Sequence, residues 1–372
     1  MKTLVLGAGI TGLAAGLKTG ATIFEATDKP GGICRSYEKD GYRFDNGGGH
    51  WIFGDNEYRN LLGQFSDMKY YKRKAAIKID QTFPYPIQYN PDAKDSNPGT
   101  LREWNHMKFG EGICNIFFDP FNERYTAGYY NHCIQDDERK SPTQGSGYNE
   151  VFSYPKKGLD HLVDKIAEKC DIEYNMRAVA IDTHERVVTF SNGEGIKYKR
   201  LISTIPLDML LDLSGITHRP LPYTSVLVLN IGAEKGPNMP DDHWTYFPRS
   251  RSRFFRVGCY SNVDPMFAPE GKVSLYVERT FDGPGAADMS LSFEKYTFDV
   301  VAELQEMGWI LEPEVVDSNW IRHGYTWMFP GNTRNKALIG MAEKGILSIG
   351  RYGKWKFQGI LESFEDGLDM EL

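Results

Sequence analysis

The stretch "KTLVLGAGITGLAAGL", beginning at Lys2, constrains this chain more than any other. Thr3 to Leu6 is apolar and rich in strand formers, glycines stand at 7, 9 and 12, and Leu13 to Leu17 suits a helix. Ala21 to Glu25 reads as a second strand. A glycine turn between the first strand and the helix of such a unit is where the pyrophosphate of a dinucleotide is held. Gly7 permits the tight turn, Gly9 lets the backbone approach the phosphates, and Gly12 lets the helix pack against the strand. The helix start, which includes Thr11, presents free N–H groups and a positive dipole end. Glu25 ends the second strand, where a carboxylate takes the ribose hydroxyls of an adenosine. A competing account treats Lys2 and the 15 uncharged residues that follow as a signal peptide. Glycines at this density are unusual in a signal helix, and no small-residue cleavage site precedes Lys18, so the dinucleotide turn is the expectation. The turn and its flanks do not separate NAD from FAD.

At 372 residues the chain is long enough for two or three domains. A net charge of -7 argues against a nucleic-acid partner. No uncharged stretch reaches the ~18 residues that span a membrane, so no membrane partner is expected. Five scattered cysteines form neither a disulfide framework nor a CxxC or Cys/His metal pattern, so no metal is expected. A reducing cytoplasm is the expected location. The oligomeric state is not legible.

The next stretch, "KPGGICRSYEKDGYRFDNGGGHWIFG" from Lys29 to Gly54, decides the cofactor. Gly31 and Gly32 with Arg35 follow the strand-ending Glu25, and Gly47, Gly48, Gly49 and His50 follow again. The stretch resembles the FAD enzymes that include amine oxidases, protoporphyrinogen oxidases and UDP-galactopyranose mutases. The resemblance implies FAD, with Gly31 and Gly32 along its diphosphate and ribityl and with Gly48, Gly49 and His50 beside the isoalloxazine. A flat ring lying on backbone needs glycine there. It also implies that the backbone near Val179 meets the adenine. The last piece carries Gly350 and then a helix beginning near Gly359 and Ile360, whose positive end would face the flavin and stabilise its reduced form.

The fold expected is α/β: a discontinuous Rossmann-like FAD-binding domain (1–65, 170–218 and 331–372), a helical insertion (100–169), and an antiparallel-sheet substrate domain (66–99 and 219–330). Residues 172–207 alternate apolar and polar, with an Asn-Gly turn at 192–193. "GLDHLVDKIAEK" places apolar residues at 159, 162, 163 and 166, one face of a helix. Strand-like runs occupy Ser225–Ile231, Arg253–Cys259 and Val273–Arg279.

Five segments of the middle and end resemble, in order, the eukaryotic type of UDP-galactopyranose mutase: "FPYPIQYN" (83–90), "FDPFNERYT" (118–126), "HWTYFPRSRSRFFRVGCYSN" (243–262), "RHGYTWMFP" (322–330) and "GRYGKWKFQGI" (350–360). The resemblance implies that Tyr85 and Gln88 contact the nucleoside end of a nucleotide-diphosphate sugar. Arg351 and Tyr325 would hold its diphosphate, with Arg322 and Arg256 as further arginines; a guanidinium can chelate phosphate oxygens. Lys157 stands where the family has an arginine, and Phe357 where it has a tyrosine. The implied reaction is a redox-neutral interconversion of pyranose and furanose forms, by attack of N5 of reduced FAD on the anomeric carbon. An external reductant such as NAD(P)H is compatible with it. The rival is an FAD-dependent oxidase or desaturase, whose aromatic cage the residues Tyr85, Tyr325, Trp327 and Phe329 would also suit.

Overall fold

The computed structural model describes residues 2–54, 57–87, 99–134, 150–283 and 293–371. Its first sheet is built on Lys2–Leu6, which pairs in parallel with Thr22–Phe24 on one side and with Gly195–Ser203 on the other. Ile172–Glu173 extends the sheet beyond Thr22–Phe24, and Ile346–Ser348 pairs in parallel with the end of Gly195–Ser203. Leu4, Val5, Leu6, Ile23 and Ile202 are buried, as parallel strands covered on both faces require. Gly195–Ser203 is shared between two sheets. Its first half closes an antiparallel meander with Val187–Phe190 and Ala178–Asp182, through the expected turn at 192–193.

The helix Ile10–Thr19 lies against Ile360–Leu368 so closely that a Cβ on Gly367 would meet the Thr11 carbonyl oxygen at 2.4 Å. The residues at 360, 361 and 364 of the expected apolar face are buried. Leu159–Ala167 is the helix read from its apolar face, and Leu159, Leu162, Val163 and Ile166 are fully buried.

The second large sheet runs Ile310–Thr326, Tyr223–Lys235, Lys272–Asp282, Arg256–Cys259, Trp244–Tyr246, Ala75–Lys78 and Thr82–Pro84. It is antiparallel except that Trp244–Tyr246 pairs in parallel with Ala75–Lys78. Met68–Lys72 does not join it. That strand pairs instead with Val151–Pro155, which also carries Ile52–Phe53. A strand therefore stands inside the stretch expected to be helical, beside the helices Leu101–Phe109, Asp119–Tyr125 and Leu159–Ala167. The 17-residue strand Ile310–Thr326 lies in the stretch expected to form the antiparallel sheet, though its own run was not singled out, because its mixed burial gives no clean alternation. The helices Phe293–Glu306 and Thr333–Glu343 were not expected. Between the first sheet, the second sheet and the helices of 101–125 lies a cleft of about 1120 Å³, with Gly7 and Gly9 at one end and Trp104 and Phe109 at the other.

Candidate active site

The glycine end of the cleft follows from backbone sterics. Gly7 holds φ 92°, and a Cβ on Gly12 would fall 1.8 Å from the Gly7 carbonyl oxygen, so neither position admits a side chain. Gly9 differs: it has extended backbone, and a Cβ there would meet nothing within 4 Å, because it faces open cleft. The helix that follows has no side-chain cap and no acidic residue in its first turn. Its first N–H groups are thus left for a ligand, as an anion site requires. The Gly31 N–H donates to the Ala8 carbonyl at 2.7 Å, which ties the second glycine pair to the first turn. This cradle, continuous with Gly49, His50, Gly359 and Ile360 along one cleft, fits an extended dinucleotide.

His50 lines the cleft and its Nδ1 lies 3.1 Å from the Gly48 carbonyl oxygen. Burial, and after it the nearby cations of Arg351 and Arg256, push its pKa down to about 4, so the imidazole is neutral around pH 7. Beside it, a Cβ on Gly48 would approach the buried carboxylate of Glu278 at 3.2 Å.

Further along the cleft, Arg351 donates to two backbone carbonyls, Gln358 at 2.6 Å and Gly324 at 3.0 Å. Its guanidinium lies 4.8 Å from the centre of the Phe357 ring and 5.5 Å from that of Tyr325. It makes no ion pair among the described residues, so its charge is available to an anion. Arg256 is different, since both its Nε and Nη2 donate to Glu278 and its charge is already compensated. Tyr325 stacks on Phe357 with ring centres 6.0 Å apart, and burial keeps its hydroxyl protonated. The far end is aromatic: Tyr85, Trp104, Phe109, Phe117, Phe121, Tyr246 and Phe255 all line it. Among them sits Asn122, buried, with an Oδ1 that has no hydrogen-bond partner among the described residues.

A model of the flavin containing amine oxidoreductase family matches residues 87–346. This chain belongs to that family. A model of NAD(P)-binding Rossmann-like domains matches residues 5–67. The chain is similar to a crystal structure of reduced UDP-galactopyranose mutase, at 26% identity over 99% of this chain and 92% of that one, with a TM-score of 0.89. It is similar also to a protein described as a protoporphyrinogen oxidase from Exiguobacterium sp. 255-15 (16% identity, 99% and 97% covered, TM-score 0.75). A CLA-producing fatty acid isomerase from P. acnes is similar at 13% identity (99% and 97% covered, TM-score 0.67). The last two show a shared fold and nothing finer. Membership of the family implies FAD, and the glycine cradle suits it.

In this flavin oxidoreductase the expected site residues divide. Gly7, Gly9, Thr11, Gly31, Gly32, Gly49, His50, Gly359, Ile360, Tyr85, Arg256, Tyr325 and Arg351 share the cleft. Gly12, Gly48 and Gly350 stand behind its wall; Gly350 holds φ 80° and packs on Thr11. The Glu25 carboxylate accepts the N–H groups of Ala8 at 2.8 Å and Thr27 at 2.9 Å, and so braces the turn. Arg35 turns to the Pro30 carbonyl and to Asp164. Val179 is exposed on the meander, outside the cleft lining. Lys157 is exposed and offers only its carbonyl, to Arg43. Arg322 is exposed beside Tyr223 and lines a separate pocket of about 350 Å³. The pairing with Tyr223–Lys235 shifts register here, from Val226 opposite Ile321 to Thr224 opposite Tyr325, and Ile321, Gly324 and Tyr325 line the main cleft while Arg322 does not. Gln88 lies outside the described residues.

The helix starting at Ile360 carries an acid in its first turn, and the Glu362 carboxylate accepts the Gly359 N–H at 2.7 Å. The expected positive helix end is thereby partly countered. Among cleft residues, sequence reasoning missed Asn122 and Arg73, whose guanidinium lies over the Tyr85 ring. Asn122 lies within the resembling segment 118–126 but was not singled out there, and Arg73 lies in none of the resembling segments. His106, Cys114 and Asp119 bring ligand atoms within 4.8 Å of one another, but the Asp119 carboxylate already takes Arg102 and the Tyr130 hydroxyl.

Proposed function

We propose that this flavoprotein is a nucleotide-sugar mutase that interconverts pyranose and furanose forms of a nucleotide-diphosphate sugar, of the UDP-galactopyranose type. The observation that carries the reading is the Arg351 guanidinium. It stands in the cleft without a carboxylate, held by the Gln358 and Gly324 carbonyls and by the Tyr325 and Phe357 rings. Such a preorganised cation suits a diphosphate leaving group. The full-length likeness to reduced UDP-galactopyranose mutase supports the same reading.

When bound and reduced, the flavin supplies a nucleophilic nitrogen for the anomeric carbon. The residues of the chain bind, orient and exclude water. Arg351 takes the phosphate charge, and the Tyr325 hydroxyl donates beside it. Neutral His50 at the glycine loop can donate or accept a hydrogen bond without adding charge. Tyr85 and the unpartnered Asn122 Oδ1 sit at the aromatic end, where a nucleoside can stack and donate to the amide oxygen. Asn122→Ala should therefore weaken binding of UDP roughly 5- to 150-fold, a buried hydrogen bond being worth ~1–3 kcal/mol; fluorescence titration of the flavin measures it.

Product analysis of a panel of nucleotide sugars, with chemically reduced protein, tests the function. Product is expected only with reduced flavin, and with no net consumption of reductant per turnover. Stoichiometric reductant use, or hydrogen peroxide release with substrate, would replace the reading by an oxidase one, for which the aromatic wall of the cleft would serve as the substrate cage.

A further inference from the structure

Asp45 ends the strand Tyr42–Asp45, immediately before the glycine loop that carries His50 to the cleft. It is completely buried where three pieces of the fold meet. One carboxylate oxygen accepts the Tyr154 hydroxyl at 2.6 Å, from the strand Val151–Pro155. The other accepts the His50 N–H at 3.4 Å. The Asp45 carbonyl accepts Asn230 Nδ2 at 3.0 Å, from the second large sheet, and the Tyr260 hydroxyl at 3.4 Å, from the helical turn that follows its strand Arg256–Cys259. The carboxyl group is thus the one contact in this network that reaches across the loop to its far end. We propose that Asp45 is a positioning residue, which holds the Gly47–His50 loop through the His50 N–H and, by gaining or losing its proton, changes the surroundings of the bound flavin.

The charges around Asp45 explain why it can switch. Arg43 stands on its own strand, Asp160 at the start of Leu159–Ala167, and Tyr154, Tyr260, His50 and Cys34 complete the titratable neighbours. Burial raises the carboxyl pKa most. The bonds from Tyr154 and the His50 N–H and the charge of Arg43 lower it, and Asp160 raises it again. The result is about 8, far above the 3.8 of a free aspartate. The group is therefore neutral below that pH and anionic above it. The anion is the stronger acceptor for the His50 N–H, so ionisation tightens the hold on the loop. It also places a negative charge behind the loop on which the flavin is expected to lie. This inference rests on flavin binding alone and not on the mutase reading, so it survives or falls whichever substrate is found.

The test uses the flavin-loaded, oxidised protein and the visible absorption spectrum of its flavin from about pH 6 to about pH 10, where free aspartate does not titrate. The wild type should show a transition with a midpoint near 8, and Asp45→Asn, which keeps size and removes the charge, should lack it. Tyr154→Phe should move the midpoint upward, because it deletes a bond that favours the carboxylate. If Asp45→Asn does not fold, Tyr154→Phe decides: an upward shift supports the assignment and an unmoved midpoint overturns it. A wild type without the transition overturns it as well. So does a transition retained in Asp45→Asn, which would belong to the flavin itself.

Discussion

Arg351→Ala is expected to lower kcat/KM for a nucleotide sugar by roughly 30- to 1,000-fold, since losing one well-placed charge-assisted donor typically costs ~2–4 kcal/mol of transition-state stabilisation. The effect should be large because this guanidinium is held among the described residues by two carbonyls and three aromatic rings, with no ion pair. A helix carboxylate such as Glu362 would have been the structural alternative, but that side chain caps Gly359. Arg351→Lys should recover only part of the loss. An ammonium at that point cannot reach the Gln358 and Gly324 carbonyls and still chelate phosphate. Flavin content should be unchanged in both variants. Titration with UDP, followed by flavin fluorescence, separates substrate binding from stability: unaltered affinity in a less stable Arg351→Ala protein would sink the assignment.

Gly9→Glu should yield folded, colourless protein. The Gly9 backbone is extended, so any residue can adopt it, and its Cβ direction is open. The fold should therefore tolerate the side chain, while the new carboxylate occupies the place of the pyrophosphate at the helix start. Gly9→Ala, by the same geometry, should retain flavin. Gly12→Ala should not, because its Cβ would lie 1.8 Å from the backbone oxygen of Gly7 and the helix must move. The ratio of flavin to protein absorbance after purification, with circular dichroism to confirm folding, measures all three. A yellow Gly9→Glu protein would show that the phosphates lie elsewhere.

These contrasts show where sequence reasoning was sufficient. The strand, turn and helix of residues 2–19 are local, with every needed residue within one βαβ unit. The helix Leu159–Ala167 likewise announced itself, because its apolar face is periodic and fully buried. Ile310–Thr326 did not. It is half covered along its length, so its residues alternate irregularly, and only pairing with Tyr223–Lys235 makes it a strand. Met68–Lys72 looked like part of the large sheet for want of any sign of its true partner, Val151–Pro155, some 80 residues later.

The same division runs through the site. Sequence alone determined that a dinucleotide turn opens the chain and that glycines recur where a flat cofactor would lie, because tight turns and close backbone approach demand glycine whatever surrounds them. The ordered segments from 83 to 360 also set the family resemblance and named Arg351. Only the tertiary structure decided what each arginine can do. Arg256 is matched by Glu278 from the neighbouring strand, Arg322 lines a separate pocket, and of these three Arg351 alone stands in the cleft with no ion pair among the described residues. Whether a guanidinium is spent on an internal carboxylate or left for a ligand depends on partners that are distant in sequence. For that reason the contacts of Glu278, Asn122 and Asp45 became visible only when the sheets were packed together.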